Sequence, residues 1–218
     1  MKTIFIESDL SSFEDFHDGE WLEKIRGLVK GTGIDSIVEE FATHWWGCAR
    51  AFVLPWLLVN GVYDGVNITR PVEASRQDLW DKYLETNAFR VALWKLSEGM
   101  YCSIYYAYEN LIVNLLQEIK GKTVRVTDRD FNEELTRVYG NKVANRTWNS
   151  KFISVSREVR NCIVHNGGKP SSKLLKMNPL LPLIDDRDIL ISASDTRELY
   201  AKLKPAAYEI IEESRKKI

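Results

Sequence analysis

The first clear pattern of apolar positions begins at Ile34 and repeats at steps of three and four residues. Such steps place the side chains on one face of an α-helix, because the helix makes a turn every ~3.6 residues. Pro55 should kink or end this helix, since proline lacks an amide hydrogen and clashes with the preceding turn. The turn-rich stretch 60–71 then predicts a connection. The apolar positions are Ile34, Val38, Phe41, Trp45, Ala49 and Phe52.

A second and longer pattern with the same period predicts one long helix. Gly121 should close it, and Gly99 is a tolerated weak point inside it, because glycine disfavours helix interiors. The apolar positions are Phe89, Leu93, Leu96, Met100, Ile104, Tyr108, Leu111, Leu115 and Ile119.

Two more helices are predicted after the long one. The stretch 127–140 indicates a short helix that begins at a cap residue, Thr127 or Asp128, and ends at Gly140. A fourth apolar pattern predicts a helix that continues into the polar stretch 157–170. Its positions are Trp148, Phe152, Val155, Val159 and Ile163.

The C-terminal part adds a loop and a last helix. Three prolines in 169–183 favour a loop, and the stretch 188–192 is typical of extended chain. Asp195, with Glu198 three residues later, resembles a capping box before the final helix. Together these predicted elements indicate an all-α protein, most simply a helical bundle. Residues 1–85 would form an N-terminal helical extension packed on the core, and 86–218 the main helical domain.

Composition narrows the choice of partners. The 218 residues are 44% hydrophobic and 28% charged, and the formal net charge is -1. A balanced charge gives no overall field that would attract nucleic acid or an anionic membrane. A role with nucleic acid therefore needs a local site.

The cysteines and the apolar stretches indicate a cytoplasmic protein. Cys48, Cys102 and Cys162 lie far apart, so they form neither a disulfide framework nor a metal-ligand pair. The first residues lack the apolar run of a signal peptide. The most apolar stretch, 51–62, is too short to span a bilayer. We therefore expect reduced thiols and no membrane partner.

The stretch REVRNCIVHNGGKP, residues 157–170, gathers groups that can do chemistry. At about 100° per residue, Arg160, Asn161 and His165 fall on the side away from the apolar stripe, with Val164 among them. Gly167 or Gly168 can end the helix in the left-handed conformation, so His165 should lie in the last turn. An apolar residue within a polar face suggests that another helix or a second copy of the chain covers it.

The residue types at this helix end suit phosphoryl chemistry without a metal. Arginine can hold a phosphate through two parallel hydrogen bonds, and asparagine can donate and accept. Histidine can give or take a proton near neutral pH. A basic residue before a glycine is also an ordinary helix ending. The geometry by itself leaves both interpretations open.

The segment RNCIVH at 160–165 matches the R-x4-H signature of the HEPN superfamily (higher eukaryotes and prokaryotes nucleotide-binding). A polar residue follows the arginine, as that family prefers, and 166–168 resembles its small-residue turn. The aromatic-rich stretch 103–116, with Glu109 inside it, is similar to the first core helix of HEPN domains. The resemblance covers roughly residues 86–216, and it implies a HEPN-like bundle of about four or five core helices.

The resemblance also implies a function. Active HEPN members are dimeric, metal-independent endoribonucleases, many of them in toxin–antitoxin or phage-defence systems, and they line a shared cleft with Arg and His of two protomers. By this analogy His165 would act as general base or acid, Arg160 would stabilise the charge on the phosphate, and Asn161 would orient either the histidine or a phosphate oxygen. Arg157 and Glu109 are candidate substrate-binding residues, although Glu109 could equally be an exposed or capped acid. No metal or cofactor is implied.

Two alternatives to the ribonuclease stay open. The chain could be a non-catalytic HEPN module that binds a nucleotide, RNA or a partner protein. It could also be a purely structural bundle that uses the same face to dimerise. For the ribonuclease we expect a homodimer, with RNA or a nucleotide as ligand and an antitoxin protein as a candidate partner.

Overall fold

The computed structural model describes residues 18–59, 87–177, 183–184 and 188–218. Within these ranges the chain is mostly helical, which confirms the all-α prediction for this part of the protein. None of the helices described is long and apolar enough to cross a membrane. The elements are α1 (Gly19–Val29), α2 (Asp35–Val59), α3 (Asn87–Lys120), α4 (Phe131–Thr147), α5 (Lys151–Asn166), α6 (Ser172–Lys176), β1 (Leu183–Ile184), β2 (Asp188–Ile189) and α7 (Ala193–Arg215).

Helix α2 continues through Pro55 to Val59, so of the predicted kink or end at Pro55 the end is wrong. α2 packs against α1 and α3, and such tertiary packing can outweigh a local preference. The predicted connection at 60–71 lies outside the described residues. So does the predicted boundary between the extension and the main domain at 85/86.

One hydrophobic core joins the first two helices to the rest of the protein. Trp45 of α2 stacks on Tyr200 of α7, with ring centroids 4.6 Å apart. The buried carboxylate of Asp18, just before α1, accepts hydrogen bonds from the Tyr200 hydroxyl and the Lys204 ammonium. Residues 18–59 therefore share a core with the bundle.

The long helix α3 is the centre of the bundle, because α2, α5 and α7 all pack against it. It runs from Asn87 to Lys120, and Gly121 follows with a φ of 61°. The prediction of one long helix closed by this glycine is confirmed. A positive φ favours glycine, which has no Cβ to clash with the backbone.

Helix α4 begins at Phe131, after Asp130, and not at the predicted cap Thr127 or Asp128. Gly140 leaves helical geometry, with φ 80° and ψ 156°, but the helix resumes and runs to Thr147. The helical segment from Phe131 therefore ends at Gly140 as predicted, and a second segment follows it across a kink. The contacts of α4 with α7 include a 2.8 Å hydrogen bond between the hydroxyls of Tyr139 and Ser214.

The segment after α5 is more ordered than a plain loop. It contains the short helix α6, whose cap Ser171 accepts a hydrogen bond from the backbone N–H of Leu174. Strands β1 and β2 form a small antiparallel pair, so extended chain is found at Asp188 and Ile189. Helix α7 is capped by Ser192, with Asp195 as the third residue of the capping box. The prediction that Asp195 is the cap is therefore wrong by three positions.

Candidate functional site

The end of α5 has the predicted geometry. Gly167 adopts the left-handed conformation with a φ of 62°, and the backbone N–H groups of Gly167 and Gly168 donate to the carbonyl of Cys162. Gly168 also has a positive φ, of 84°. His165 consequently lies in the last helical turn, where its side chain is exposed.

Arg160 does not point away from the core, so this part of the prediction is wrong. Its guanidinium forms an ion pair with Glu109 of α3, and the two side chains are only 15% and 13% exposed. The Nη1 group donates to the side-chain oxygen of Asn161 at 3.0 Å. The guanidinium carbon also lies 5.7 Å from the centroid of the Tyr105 ring.

Arg160 points inwards because α5 buries two of its faces, and only one of these faces is apolar. Val155 and Val159 are buried as predicted, on the apolar stripe. Ile153 and Ser156 are also buried, at 3% and 1% exposure. Arg160 follows them at helical spacing, so it belongs to this second face and meets α3. A polar residue on a buried face gives no signal in a pattern of apolar positions.

Burial governs the ionisation of the groups around Arg160. It raises the pKa of the Glu109 carboxyl, and the positive charges of Arg160 and Arg157 offset this only in part. Burial also raises the pKa of the Cys102 thiol to about 11, although Arg160 acts in the opposite direction. Cys102 is therefore a neutral thiol at physiological pH. Arg160 compensates Glu109, and the ion pair is the electrostatic centre of the site.

Two polar atoms of this cluster are buried without a hydrogen-bond partner. They are the hydroxyl of Tyr105 and the Nε of Arg160. Buried polar groups are nearly always satisfied in folded proteins, so each of these two atoms calls for a partner.

The remaining predicted residues lie on the solvent side of α5. Arg157 is half-buried, and its guanidinium carbon lies 4.3 Å from the centroid of the Trp148 ring. Asn161 is half-buried beside Arg160, and Val164 is 55% exposed. Arg160, Asn161 and Glu109 are thus brought together. His165 and Val164 form the exposed rim of the same helix end.

The sequence interpretation missed the residues of α3 that underlie this site. Glu98, Cys102 and Tyr105 precede Glu109 at steps of four, three and four, which is one face of a helix. Glu98 is 4% exposed, and its Oε1 has no hydrogen-bond partner. A Cβ added at Gly168 would lie 3.5 Å from that oxygen. The spacing of polar residues within the long apolar pattern was the available signal.

Glu158 of α5 fixes the chain after the glycine turn. Glu158 is buried, accepts a 2.7 Å hydrogen bond from the Ser171 hydroxyl, and pairs with Lys173 at 2.8 Å. Burial alone would raise its pKa, but Lys173 and Ser171 hold the pKa below the usual value. These contacts join α5 to α6, so the turn that presents His165 is held on both sides.

Within the described residues, no group of three or more His, Cys, Asp or Glu side chains is placed to hold a metal ion. Comparisons with protein-family models, curated proteins and solved structures found no match to this chain. The assignment to the HEPN superfamily therefore rests on the residues of the motif and their arrangement, and it stays a prediction.

Proposed function

We propose that the protein is a metal-independent endoribonuclease of the HEPN type, with a composite Arg/His site at the interface of a homodimer. The observation that carries the proposal is the helix end itself. Arg160 is held by the buried Glu109, while His165 is presented to solvent one turn later by a glycine cap. An anchored cation and an exposed imidazole, both at one helix end, are the kinds of groups that phosphoryl transfer needs.

In the proposed reaction His165 removes the proton from a ribose 2′-hydroxyl. The 2′-oxygen attacks the adjacent phosphorus, the bond to the 5′-oxygen breaks, and that oxygen takes up a proton from a histidine acting as acid. The products are a 2′,3′-cyclic phosphate and a 5′-hydroxyl. Arg160 stabilises the charge on the phosphate, since its guanidinium has more N–H donors than its contacts with Glu109 and Asn161 use.

The other site residues support this arrangement. Asn161 orients the guanidinium through its 3.0 Å hydrogen bond. Glu109 fixes Arg160 and does not contact the substrate in this proposal, which revises its role as a substrate-binding candidate. Arg157 keeps that role, because it is half-buried on the same side of the helix end.

A second copy of the chain is the proposed cover of this face. Val164 is an exposed apolar residue between Asn161 and His165, and Leu175 of the adjoining α6 is 44% exposed. In the proposed dimer the second copy would cover both side chains. The cytoplasm is the proposed location, since the three cysteines are free. An antitoxin protein remains a candidate partner, by analogy with the family.

Cleavage of RNA in the presence of EDTA tests the proposal. We expect products with 2′,3′-cyclic phosphate ends, identified by mass spectrometry. His165→Ala should slow cleavage by about 10²–10⁴-fold, as loss of a general acid or base does. His44→Ala is the matched control, because His44 is an exposed histidine on α2. Equal rates for wild type and His165→Ala over a broad RNA panel would refute the catalytic role.

The composite site has its own test. Two inactive chains, Arg160→Ala and His165→Ala, should recover part of the activity when they are mixed and allowed to form heterodimers. Val164→Glu should shift the protein towards monomer in light scattering and lower its activity. Trp46→Glu, at another exposed apolar residue, should change neither. A fully active monomer would contradict the shared cleft. RNA binding without any cleavage would instead favour the non-catalytic module.

A further inference from the structure

A groove lies between α1 and α7, and the residues that line it are separate from the Arg160 and His165 site. Its volume is about 600 Å³, within the ~300–1,000 Å³ typical of small-molecule sites. The walls combine aromatic rings with basic side chains. The residues that define it are Trp21, Tyr200, Tyr208, Lys24, Arg197 and Lys204.

The basic groups lie over the aromatic rings. The Lys24 ammonium is 4.7 Å from the centroid of the Tyr208 ring. The Lys204 ammonium is 5.2 Å from the Trp21 ring and 5.8 Å from the Tyr200 ring. The groove therefore presents π-surfaces and positive charge side by side.

The aromatic wall is rigid. Trp21 packs edge-on against Phe41, with centroids 6.3 Å apart, and lies 5.8 Å from Trp45 in the core. Tyr200 is buried and stacks on Trp45. A rigid wall binds a flat ligand at a small entropic penalty, since little has to be ordered on binding.

The charge of the groove is positive. Two lysines and an arginine line it, and no carboxylate is among its lining residues in the described part of the chain. The buried carboxylate of Asp18 pairs with Lys204 from behind the wall. The other acids of α1 and α7, such as Glu20 and Glu198, occupy neighbouring helical positions and do not line it. A ligand with negative charge is therefore favoured.

We propose that this groove binds a nucleotide unit, with its base against the aromatic wall and its phosphate paired with the Lys24 ammonium. A base stacks on any aromatic face, and stacking is stronger than the contact of an exposed ammonium with the same ring. The flexible lysine side chain can then turn from the ring to the phosphate. Purely cationic walls would suit a bare anion, and purely aromatic walls an uncharged apolar ligand.

Titration calorimetry tests the proposal with AMP, adenosine, inorganic phosphate and a ten-nucleotide RNA. All proteins carry His165→Ala, so that the RNA stays intact. Binding of AMP supports a free nucleotide as the ligand of the groove. Binding of the RNA alone supports a nucleotide within an RNA strand as the ligand. Lys24→Glu should weaken that binding at least tenfold. Lys142→Glu, the same charge change at an exposed lysine on α4, should alter it less than twofold.

Tyr208→Leu provides the aromatic arm of the test, because leucine keeps the apolar bulk and removes the π-face. It should also weaken binding about tenfold. Lys204 is left intact, since its removal would leave the buried carboxylate of Asp18 without a compensating charge. The proposal is overturned if neither AMP nor the RNA binds, if phosphate or adenosine binds as tightly as AMP, or if Lys24→Glu has no effect. RNA cleavage by the wild type is measured separately, so either proposal can fail alone.

Discussion

The ion pair between Arg160 and Glu109 gives a stability prediction that depends on pH. We consider Arg160→Met, which keeps an unbranched side chain and removes the charge. Burial already raises the pKa of Glu109, and Arg160 is the largest influence that opposes this rise. Without Arg160, the pKa of Glu109 in the folded protein should rise further.

The size of the effect follows from burial. Removing one partner of a fully buried ion pair costs about 3–5 kcal/mol, because the other charge is left uncompensated. Glu109 remains 13% exposed, so we expect a loss of about 2–3 kcal/mol at pH 7. At about 2–4 °C per kcal/mol for a chain of this size, the melting temperature should fall by about 5–10 °C.

The sign of the pH dependence is fixed by linkage. A carboxyl with a raised pKa in the folded state favours folding below its unfolded pKa, and this contribution is lost as pH rises through the folded pKa. The defect of Arg160→Met should therefore be large at pH 7 and shrink as the pH falls and Glu109 takes up a proton. Adding Glu109→Gln should restore much of the stability at pH 7.

Urea unfolding at pH 5, 6 and 7 measures these differences. Arg146→Met is the matched control, because Arg146 also pairs with a glutamate of another helix but is 51% exposed. Exposed pairs contribute about 0–1 kcal/mol, so its effect should be small at every pH. The reasoning is refuted if both variants lose equal stability at pH 7. It is also refuted if the loss in Arg160→Met is the same at pH 5, since packing would then be responsible.

Four more substitutions probe the scaffold by urea unfolding. Gly168→Ala should lower the free energy of unfolding by about 1–2 kcal/mol because φ is 84°. Gly99→Ala, in an open helical position, should instead raise it by about 0.5–1 kcal/mol. The opposite order would contradict the backbone argument. Glu158→Gln should lower stability at pH 7, and this loss should disappear as pH falls below 4.5 through the depressed folded pKa of Glu158, because a carboxyl with a depressed pKa contributes stability until it takes up a proton in the folded state. Ser192→Ala should cost about 1 kcal/mol through loss of the capping box, and an unchanged midpoint would argue against the cap.

The apolar period of the sequence predicted the helices well wherever one face is buried. The long helix and its end at Gly121 follow from apolar spacing and a glycine, which are local properties. The glycine cap that places His165 in the last turn of α5 is local in the same sense. Local signals were insufficient at Pro55, where α2 packs on neighbouring helices and continues to Val59. At Gly140 the glycine does mark a break in helical geometry between two segments.

At the candidate site, too, some features follow from the local sequence and others only from tertiary packing. The sequence by itself determined which residues share the helix end, because 160 to 165 is less than two turns and a glycine follows. Only the tertiary structure decided that Arg160 is turned inwards to Glu109, 51 residues away in the chain. A helix that packs on two sides buries polar positions as well as apolar ones, and the partner that compensates a buried charge lies on another helix. Helical periodicity carries no information about that partner.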